Sequence, residues 1–561
     1  MDTIFGKKSL YAPESEIKFA QKTQKFIESG VENYFVKQKL TGDSAIDVFG
    51  WSVATNSNGT VLMMGGHYDD DSGFNAGAAL IYTGNAVAGW QLRQKLTGDS
   101  ANDEFGQSVA INSDGTLLMM GGALDDDGGN NAGAALIYTG SAQGGWTLKQ
   151  KLTGDSAGDE FGRSVATNSD GTVLVMGGWQ DGDGGTNAGA ALIYTGNAAA
   201  GWQLRQKLTG DNANDFFGAS VATNSDGTLL MMGGYADDDG GTDAGAALVY
   251  TGSAQGGWTL KQKLTGDSAD DSFGSSIATN SNGTVLMIGA FYDDDSGFNA
   301  GAALVYTGSA QGGWTLKQKI TGDSTNDYFG WSVATNSDGT VLMMGGDLDD
   351  DGGIDAGATL IYTGSAQNGW ALKQKLTGDS AGDQFGWNVA TNSDGTVLMI
   401  GAFYDDDGGE NAGAALVYTN KVLSPAPQIE IKFLKPQLIL GIGYDDPNNA
   451  LEPDVTAWVL MDGPLYNTES DENSGFIGGQ SWRKMAPIGY LPYGKETYSY
   501  GDEQVRWNGA FWAYTNDLVG RTFAISYDDV QWPWLATWTN NFVGAKITST
   551  YVKTTNYPAV P

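Results

Sequence analysis

At 561 residues the chain is too long for one ordinary core, so more than one domain is expected. A net charge of −36 argues against nucleic acid and anionic membrane surfaces as partners, and favours cations, basic partners and high solubility. Cysteine is absent, which excludes disulfides and thiolate metal sites, and no apolar run reaches the ~18 residues of a membrane span.

The first 33 residues read as an arm. No apolar segment follows Lys7 and Lys8, so no secretory signal peptide is expected. A helix is predicted over 13–29. Pro13 suits the first turn, Glu14 and Glu16 suit its positive end, and Gly30 suits the stop. Its modest apolar stripe (Ile17, Ala20, Phe26, Ile27) fits either packing on its own propeller or docking on a neighbouring subunit.

From residue 34 the chain repeats itself. Phe-Gly recurs with Phe at 49, 105, 161, 217, 273, 329 and 385, each step 56 residues without insertion or deletion. Such a period defines a repeat architecture. The unit holds four strand signals: Trp51 to Thr55, the apolar run Thr60 to Gly65, Ala78 to Thr83, and the alternating Trp90 to Leu96. Asn-Ser-Asn-Gly or Asn-Ser-Asp-Gly joins the first two, a tight-hairpin signal because Asn and Gly accept positive φ. Four antiparallel strands in each of seven units predict an all-β, seven-bladed β-propeller, with a linear solenoid as the alternative. Met pairs such as Met63-Met64 and Met231-Met232 read as core filler.

The ends of the array predict closure. The fourth strand opens on Trp at 90, 146, 202, 258, 314 and 370. One period before Trp90 stands Tyr34, opening Tyr-Phe-Val-Lys-Gln-Lys-Leu. One period after Trp370 the chain reads Ser-Pro-Ala-Pro. Residues 34–40 are therefore expected to complete the blade of residues 385–419, leaving no raw edge.

Phe-Gly-x-Ser-Val-Ala, a Gly-Gly or Gly-Ala pair, an Asp-rich loop, Ala-Gly-Ala-Ala-Leu-Ile-Tyr and Trp together resemble the FG-GAP repeat of integrin α-subunit propellers, most of all its bacterial and viral versions. The resemblance covers residues 34–419. It implies the propeller fold and a link to adhesion. It does not carry over the integrin calcium loop. That loop lies between the first two strands, where this chain has only the short Asn-Ser-Asp-Gly-Thr.

Strand parity puts the loop before Phe-Gly and the loop between second and third strands on one rim, with roughly five carboxylates per blade. The opposite rim is nearly neutral. Two places on the acidic rim vary among otherwise similar copies. One follows Phe-Gly and includes Trp51, Trp331 and Trp387. The other opens the acidic loop and includes His67, Tyr68, Trp179, Tyr235, Phe291, Tyr292, Phe403 and Tyr404. Aromatic residues beside carboxylates suit sugar or protein recognition, and they suit equally well the packing of neighbouring blade tops.

The acidic loops supply hard oxygens of the kind Ca2+ takes. The candidate ligands are Asp69, Asp70, Asp71 and Asn75 in the first blade, Asp125, Asp126 and Asp127 in the second, and Asp237, Asp238 and Asp239 in the fourth. In the last three blades they are Asp293, Asp294, Asp295, Asp349, Asp350, Asp351, Asp405, Asp406 and Asp407. A solvated acidic loop is the other reading. Glycoside hydrolysis needs two carboxylates in unlike environments, and here they are alike in every blade. His67 is the only histidine, which removes triads and His-based metal sites.

Residues 420–428 read as a Pro-containing linker. Residues 429–561 are rich in Trp and Tyr, with strands expected at 429–434, 437–442, 455–460, 504–507, 510–514 and 522–527. They predict a small β-sandwich-like domain. Its tail is similar to short aromatic modules appended to phage and environmental surface proteins, and its Trp residues form either a core or a carbohydrate-stacking face.

The function expected is non-enzymatic: a structural or adhesive protein, a phage-type virion appendage or decoration. Its propeller rim would meet protein or glycan on a host or neighbouring surface, or other subunits of an assembly. A microbial cell-surface or secreted matrix adhesin is the alternative, and a glycan-active hydrolase a remote one.

Overall fold

The computed structural model describes residues 33–420 in full and, beyond them, only the backbone of short strands between Ile429 and Val552. The helix expected over 13–29 and the linker after Asn420 lie outside the described residues. So do the strands expected at 437–442, 504–507 and 510–514.

Residues 33–420 form one compact unit of seven four-stranded antiparallel sheets. In the first blade the strands are Ser52–Thr55, Val61–Gly66, Ala78–Asn85 and Gly89–Thr97, paired in that order. The first strand of each blade is innermost and lines the central channel. The Asn-Ser-Asn-Gly turn forms as its residues require. Asn56 Oδ1 accepts the N–H of Thr60 at 2.8 Å and of Val61 at 2.9 Å, while Gly59 takes φ +68°.

The apolar run Val61–Gly66 is buried at every position because each sheet is covered on both faces. Met64 packs with Trp90, Phe49 and, from the seventh blade, Met399 and Val417. Its neighbour Met63 points the other way, toward Phe105 and Met120 of the second blade. The core is thus a set of layers between blades. The Phe of each Phe-Gly pair is fully buried. The Gly that follows cannot be replaced: Gly50 has φ +92°, and a Cβ there would stand 2.0 Å from the Ala414 carbonyl oxygen.

The seventh blade is built as the sequence predicts. Phe35–Thr41 pairs antiparallel with Ala414–Thr419 as its outer strand, with Phe35 opposite Thr419. Two side-chain devices repeat around the ring. The Trp90 indole N–H donates to the Gly59 carbonyl at 2.8 Å, and its backbone N–H donates to Gln38 Oε1 of the preceding outer strand at 2.8 Å. At the join Tyr34 stands in for tryptophan. Its hydroxyl donates to the Gly395 carbonyl at 2.8 Å, and its N–H donates to Gln374 Oε1 at 2.8 Å. The closure is therefore chemically equivalent to the other joins.

Beyond residue 420, strands 474–477, 480–484, 455–460, 522–527, 534–537 and 551–552 form one antiparallel sheet in that order. A parallel pair joins 429–430 to 547–548.

Candidate functional site

The ring has two unlike ends. At the hairpin end the Ser57 N–H donates to the Ser113 carbonyl. The same bond runs from Ser113 to Ser169, then Ser225, Ser281, Ser337 and Ser393, and Ser393 returns to Ser57. Seven backbone bonds close a circle around the axis. Inside lies a polar cavity of about 170 Å3 lined by Thr55, Asn56, Ser57 and their counterparts, with Ile111 replacing one threonine. Its lining carries no carboxylate and no histidine, so it offers nothing for acid–base chemistry.

The other end gathers the acidic loops and the variable aromatics. In each blade the acidic loop closes around a lysine from the blade's own outer strand; in the seventh it is Lys39 of the closing strand. Lys95 Nζ contacts Asp69 and lies 2.6 Å from Asp71 and 2.9 Å from Asp43. Lys151 repeats this with Asp125, Asp127 and Asp99, and Lys39 with Asp405, Asp407 and Asp379. Burial alone would lower the lysine pKa. The hydrogen bonds it donates to the three carboxylates outweigh that and raise it, so the ammonium stays charged. Lys95 also lies 5.6 Å from the centre of the Phe49 ring.

This arrangement settles how the loop carboxylates are used. The first Asp of each triplet (69, 125, 237, 293, 349, 405) is buried against the lysine, and the third (71, 127, 239, 295, 351, 407) meets the same ammonium from the exposed side. The middle Asp turns back into its own loop. Asp70 Oδ1 accepts the Asn75 N–H at 2.6 Å, and Asp126, Asp238, Asp294, Asp350 and Asp406 each do the same five residues on. Asn75 itself takes φ +50°. A calcium ion at the triplet would have to occupy the place of an ammonium, so the triplets as a set do not fit Ca2+.

A further carboxylate in each blade has no lysine. Asp47 and its counterparts Asp103, Asp159, Asp215, Asp271, Asp327 and Asp383 sit in the loop leading into Phe-Gly, all buried. Burial, then the charges of Asp69 and Asp43, push the Asp47 carboxyl up to about 7.

The aromatics fall into two groups. Trp51, Trp331 and Trp387 crowd the channel mouth, with ring centres 4.5 Å apart for Trp51–Trp387 and 4.6 Å for Trp331–Trp387. His67 and Phe403 pack on Trp51 at 4.3 and 5.0 Å, and Phe291 on Trp331 at 4.7 Å. Trp179 and Tyr235 stand apart from this group, joined through Phe216. Arg163 lies over Trp179 at 5.3 Å, and Glu160 accepts from the Trp179 indole at 2.6 Å. His67 is almost fully buried; burial first, then the charge of Arg163, lowers its pKa to about 3 and keeps it neutral. The inner rings therefore pack on one another.

Tyr68, Tyr292 and Tyr404 remain about 40% exposed. Beside them Phe74, Phe298 and Ile354 are exposed by 65% or more. All six belong to blades 1, 5, 6 and 7, which are contiguous around the ring. At the corresponding loops of blades 2, 3 and 4 no large hydrophobic side chain is exposed.

Sequence reasoning missed the lysines, the Asp47 series, Phe74, Phe298 and Ile354. The lysines carried a usable signal, since Gln-Lys recurs with the 56-residue period in every outer strand. Arg163 and Asp347 each occur in one blade only, and Glu160 is matched only by Glu104, so none carried a periodic signal. Asp347 takes the place that His67 holds in the first blade; it is buried and its Oδ1 has no hydrogen-bond partner.

Residues 90–138, 146–194, 202–250, 258–306 and 370–418 match the FG-GAP repeat. No curated protein is similar to the chain. Among solved structures, one of a protein from Lactobacillus plantarum is 15% identical, covering 58% of this chain and 84% of that one, with a TM-score of 0.42. Sqt1 of Saccharomyces cerevisiae is 13% identical over 69% of this chain and 97% of its own, with a TM-score of 0.38.

Proposed function

We propose that this FG-GAP seven-bladed propeller is a non-enzymatic recognition and structural protein, an appendage or decoration of a virus particle. Its acidic mouth would bind a glycan or protein on a host or neighbouring surface. One observation carries the reading. The blades are near copies, yet among their acidic loops only those of blades 5, 6, 7 and 1 expose large aromatic or apolar side chains, around the Trp51–Trp331–Trp387 cluster. A patch of this kind on a rigid ring is what a binding surface requires, with flat rings for stacking and nearby carboxylates as acceptors. Hydrolysis is disfavoured because the buried carboxylates repeat in every blade and His67 is walled in by aromatic rings. The virion assignment is supported by the modular chain, by its lack of cysteine and by its likeness to bacterial and viral repeats.

The test is a glycan array and particle-binding assay with the full chain. Binding should fall at least tenfold in the Tyr292→Ser/Tyr404→Ser variant with the melting point unchanged. Binding that survives these changes refutes the site. Mass spectrometry of purified particles against washed host cells tests the setting. Finding the chain only in virus-free envelope or medium would replace the virion with a microbial surface or matrix adhesin.

A further inference from the structure

Blade 3 lies across the channel from the exposed tyrosines, and it brings an unbridged cation to the mouth. Arg163 takes the repeat position that Trp51, Trp331 and Trp387 take in their own blades, so its side chain starts at the channel mouth. Its guanidinium carbon lies 5.3 Å from the centre of the Trp179 ring. That ring is itself held: Glu160 accepts from the Trp179 indole at 2.6 Å and from Gln180 Nε2 at 2.7 Å. Both Glu160 oxygens are thereby engaged. Among the described residues the guanidinium has no hydrogen bond and no ion pair. Only the stack on Trp179 and the more distant charges of Glu160 and Glu104 answer it, while burial works against its charge. Each rim lysine, by contrast, meets three carboxylates. A guanidinium carries five N–H donors in a planar fork, and here none is used. Gln107 holds the same repeat position one blade earlier, and its Oε1 is buried with no hydrogen-bond partner. In the next two blades that position holds Ala219 and Ser275, the smallest side chains it carries, which leaves room beside the guanidinium. The Phe216 and Tyr235 rings lie close by, parallel to within 3° and partly exposed.

We propose that Arg163 anchors a carboxylate subsite whose ligand is an acidic sugar, a uronic or sialic acid residue at the end of a glycan. The subsite rests on the recognition reading for the glycan, and it adds a second side of the mouth. The sugar carboxylate takes two parallel N–H bonds from the Arg163 fork. A hydroxyl of the same sugar donates to Gln107 Oε1, which a bare carboxylate cannot do. The apolar face of the sugar lies against the Phe216 and Tyr235 rings. The Tyr235 phenol stays protonated and can donate as well, because burial outweighs the charge of Arg163 and pushes it up to about 12. The acidity of the chain limits the ligand. A net charge of −36 repels a polyanion, whereas a single carboxylate on a neutral glycan meets a local cation. Glu104 weakens the subsite: the charge of Arg163 favours its ionised form, and that carboxylate opposes an incoming anion.

The experiment is ligand-observed NMR and calorimetric titration of the full chain with the methyl glycoside of glucuronic acid and with N-acetylneuraminic acid. Methyl glucoside, acetate and a capped aspartate peptide are the controls. One of the acidic sugars should bind about tenfold tighter than methyl glucoside, and that preference should vanish in Arg163→Met. Arg163→Lys keeps the charge without the fork and should retain only part of it. Glu104→Gln should tighten binding by removing a like charge, and Gln107→Leu should weaken binding of the sugar but not of acetate. An acidic sugar that binds no better than methyl glucoside overturns the proposal, and so does a preference that survives in Arg163→Met. Acetate or the aspartate peptide binding as tightly as the sugar overturns the assignment of the ligand. Should Arg163→Met fail to fold, full preference in Arg163→Lys together with no gain in Glu104→Gln counts against the site. The Tyr292→Ser/Tyr404→Ser variant separates this subsite from the patch on blades 5, 6, 7 and 1. It should keep the preference for the carboxylate, and Arg163→Met should keep binding through that patch.

Discussion

Replacing Lys151 by methionine removes one charge and keeps the shape of the side chain. Among the described residues the ammonium is the only cation contacting Asp125, whose side chain is 1% exposed. Asp99 and Asp127 are 40% and 63% exposed, so water can relieve them when the lysine is gone. The cost therefore concentrates on one buried carboxylate. Removing one partner of a buried pair costs about 3–5 kcal/mol, and the low end applies because two of three acceptors are wet. A unit of about 390 residues unfolds with an entropy near 0.8 kcal/mol/K, so about 3 kcal/mol lowers Tm by about 4 °C. The assay is scanning calorimetry in chelator, which keeps divalent ions from replacing the lost charge. Lys151→Met/Asp125→Asn removes both charges and should return to within about 1 kcal/mol of the parent. The reasoning fails if Lys151→Met melts within about 1 °C of the parent, or if the double variant is no more stable than the single.

Ile46 has φ +72° and is 59% exposed, at a position where the other blades use Asn, Gly or Asp. Ile46→Asn should stabilise by about 1 kcal/mol, measured by urea denaturation, since strain is relieved and little packing is lost. Tyr34→Phe leaves the Gly395 carbonyl without its phenol donor and should destabilise by about 1–2 kcal/mol in the same assay, whereas Tyr34→Trp should be tolerated. Burial, against one backbone hydrogen bond and with help from the charge of Asp355, pushes the Asp347 carboxyl up to about 7. An acid with a raised folded pKa stabilises most below the unfolded value near 4, and loses that contribution as pH rises through about 7. Asp347→Asn should therefore come closest to the parent near pH 4 and melt higher at pH 8.5. A gap that does not widen with pH would contradict the assignment.

The fold was legible because the chain can be compared with itself. Phe49, Gly50 and Trp90 recur in register, and the displaced Tyr34 could be found by subtracting one period. Strand parity also identified the acidic rim. It could not tell which carboxylates are buried. Asp47 sits in a polar stretch, Thr-Gly-Asp-Ser-Ala-Ile-Asp, and nothing local distinguishes it from Asp43. Lys95 looked like an exposed residue of an alternating strand. It reaches Asp69 only because the outer strand brings its end up beside the loop between the second and third strands, an antiparallel crossing between residues 26 apart. The aromatics could be read either way from sequence, and the structure divides them: Trp51, Trp387 and Phe403 are packed together, while Tyr68, Tyr292 and Tyr404 keep exposed faces.

The pairing of Phe35 with Thr419 has a mechanical consequence. Both segments that flank the ring leave from adjacent positions on one blade, at the hairpin end, opposite the acidic mouth. Tension that draws Asn33 and Asn420 apart would load the closing ladder one rung at a time, from Phe35 toward Thr41, like a zip opened from its free end. Tension applied to both segments from the same side would cross no rung at all. A ring tethered by these two segments therefore withstands drag on its mouth, and it opens only when its two tethers are pulled in different directions.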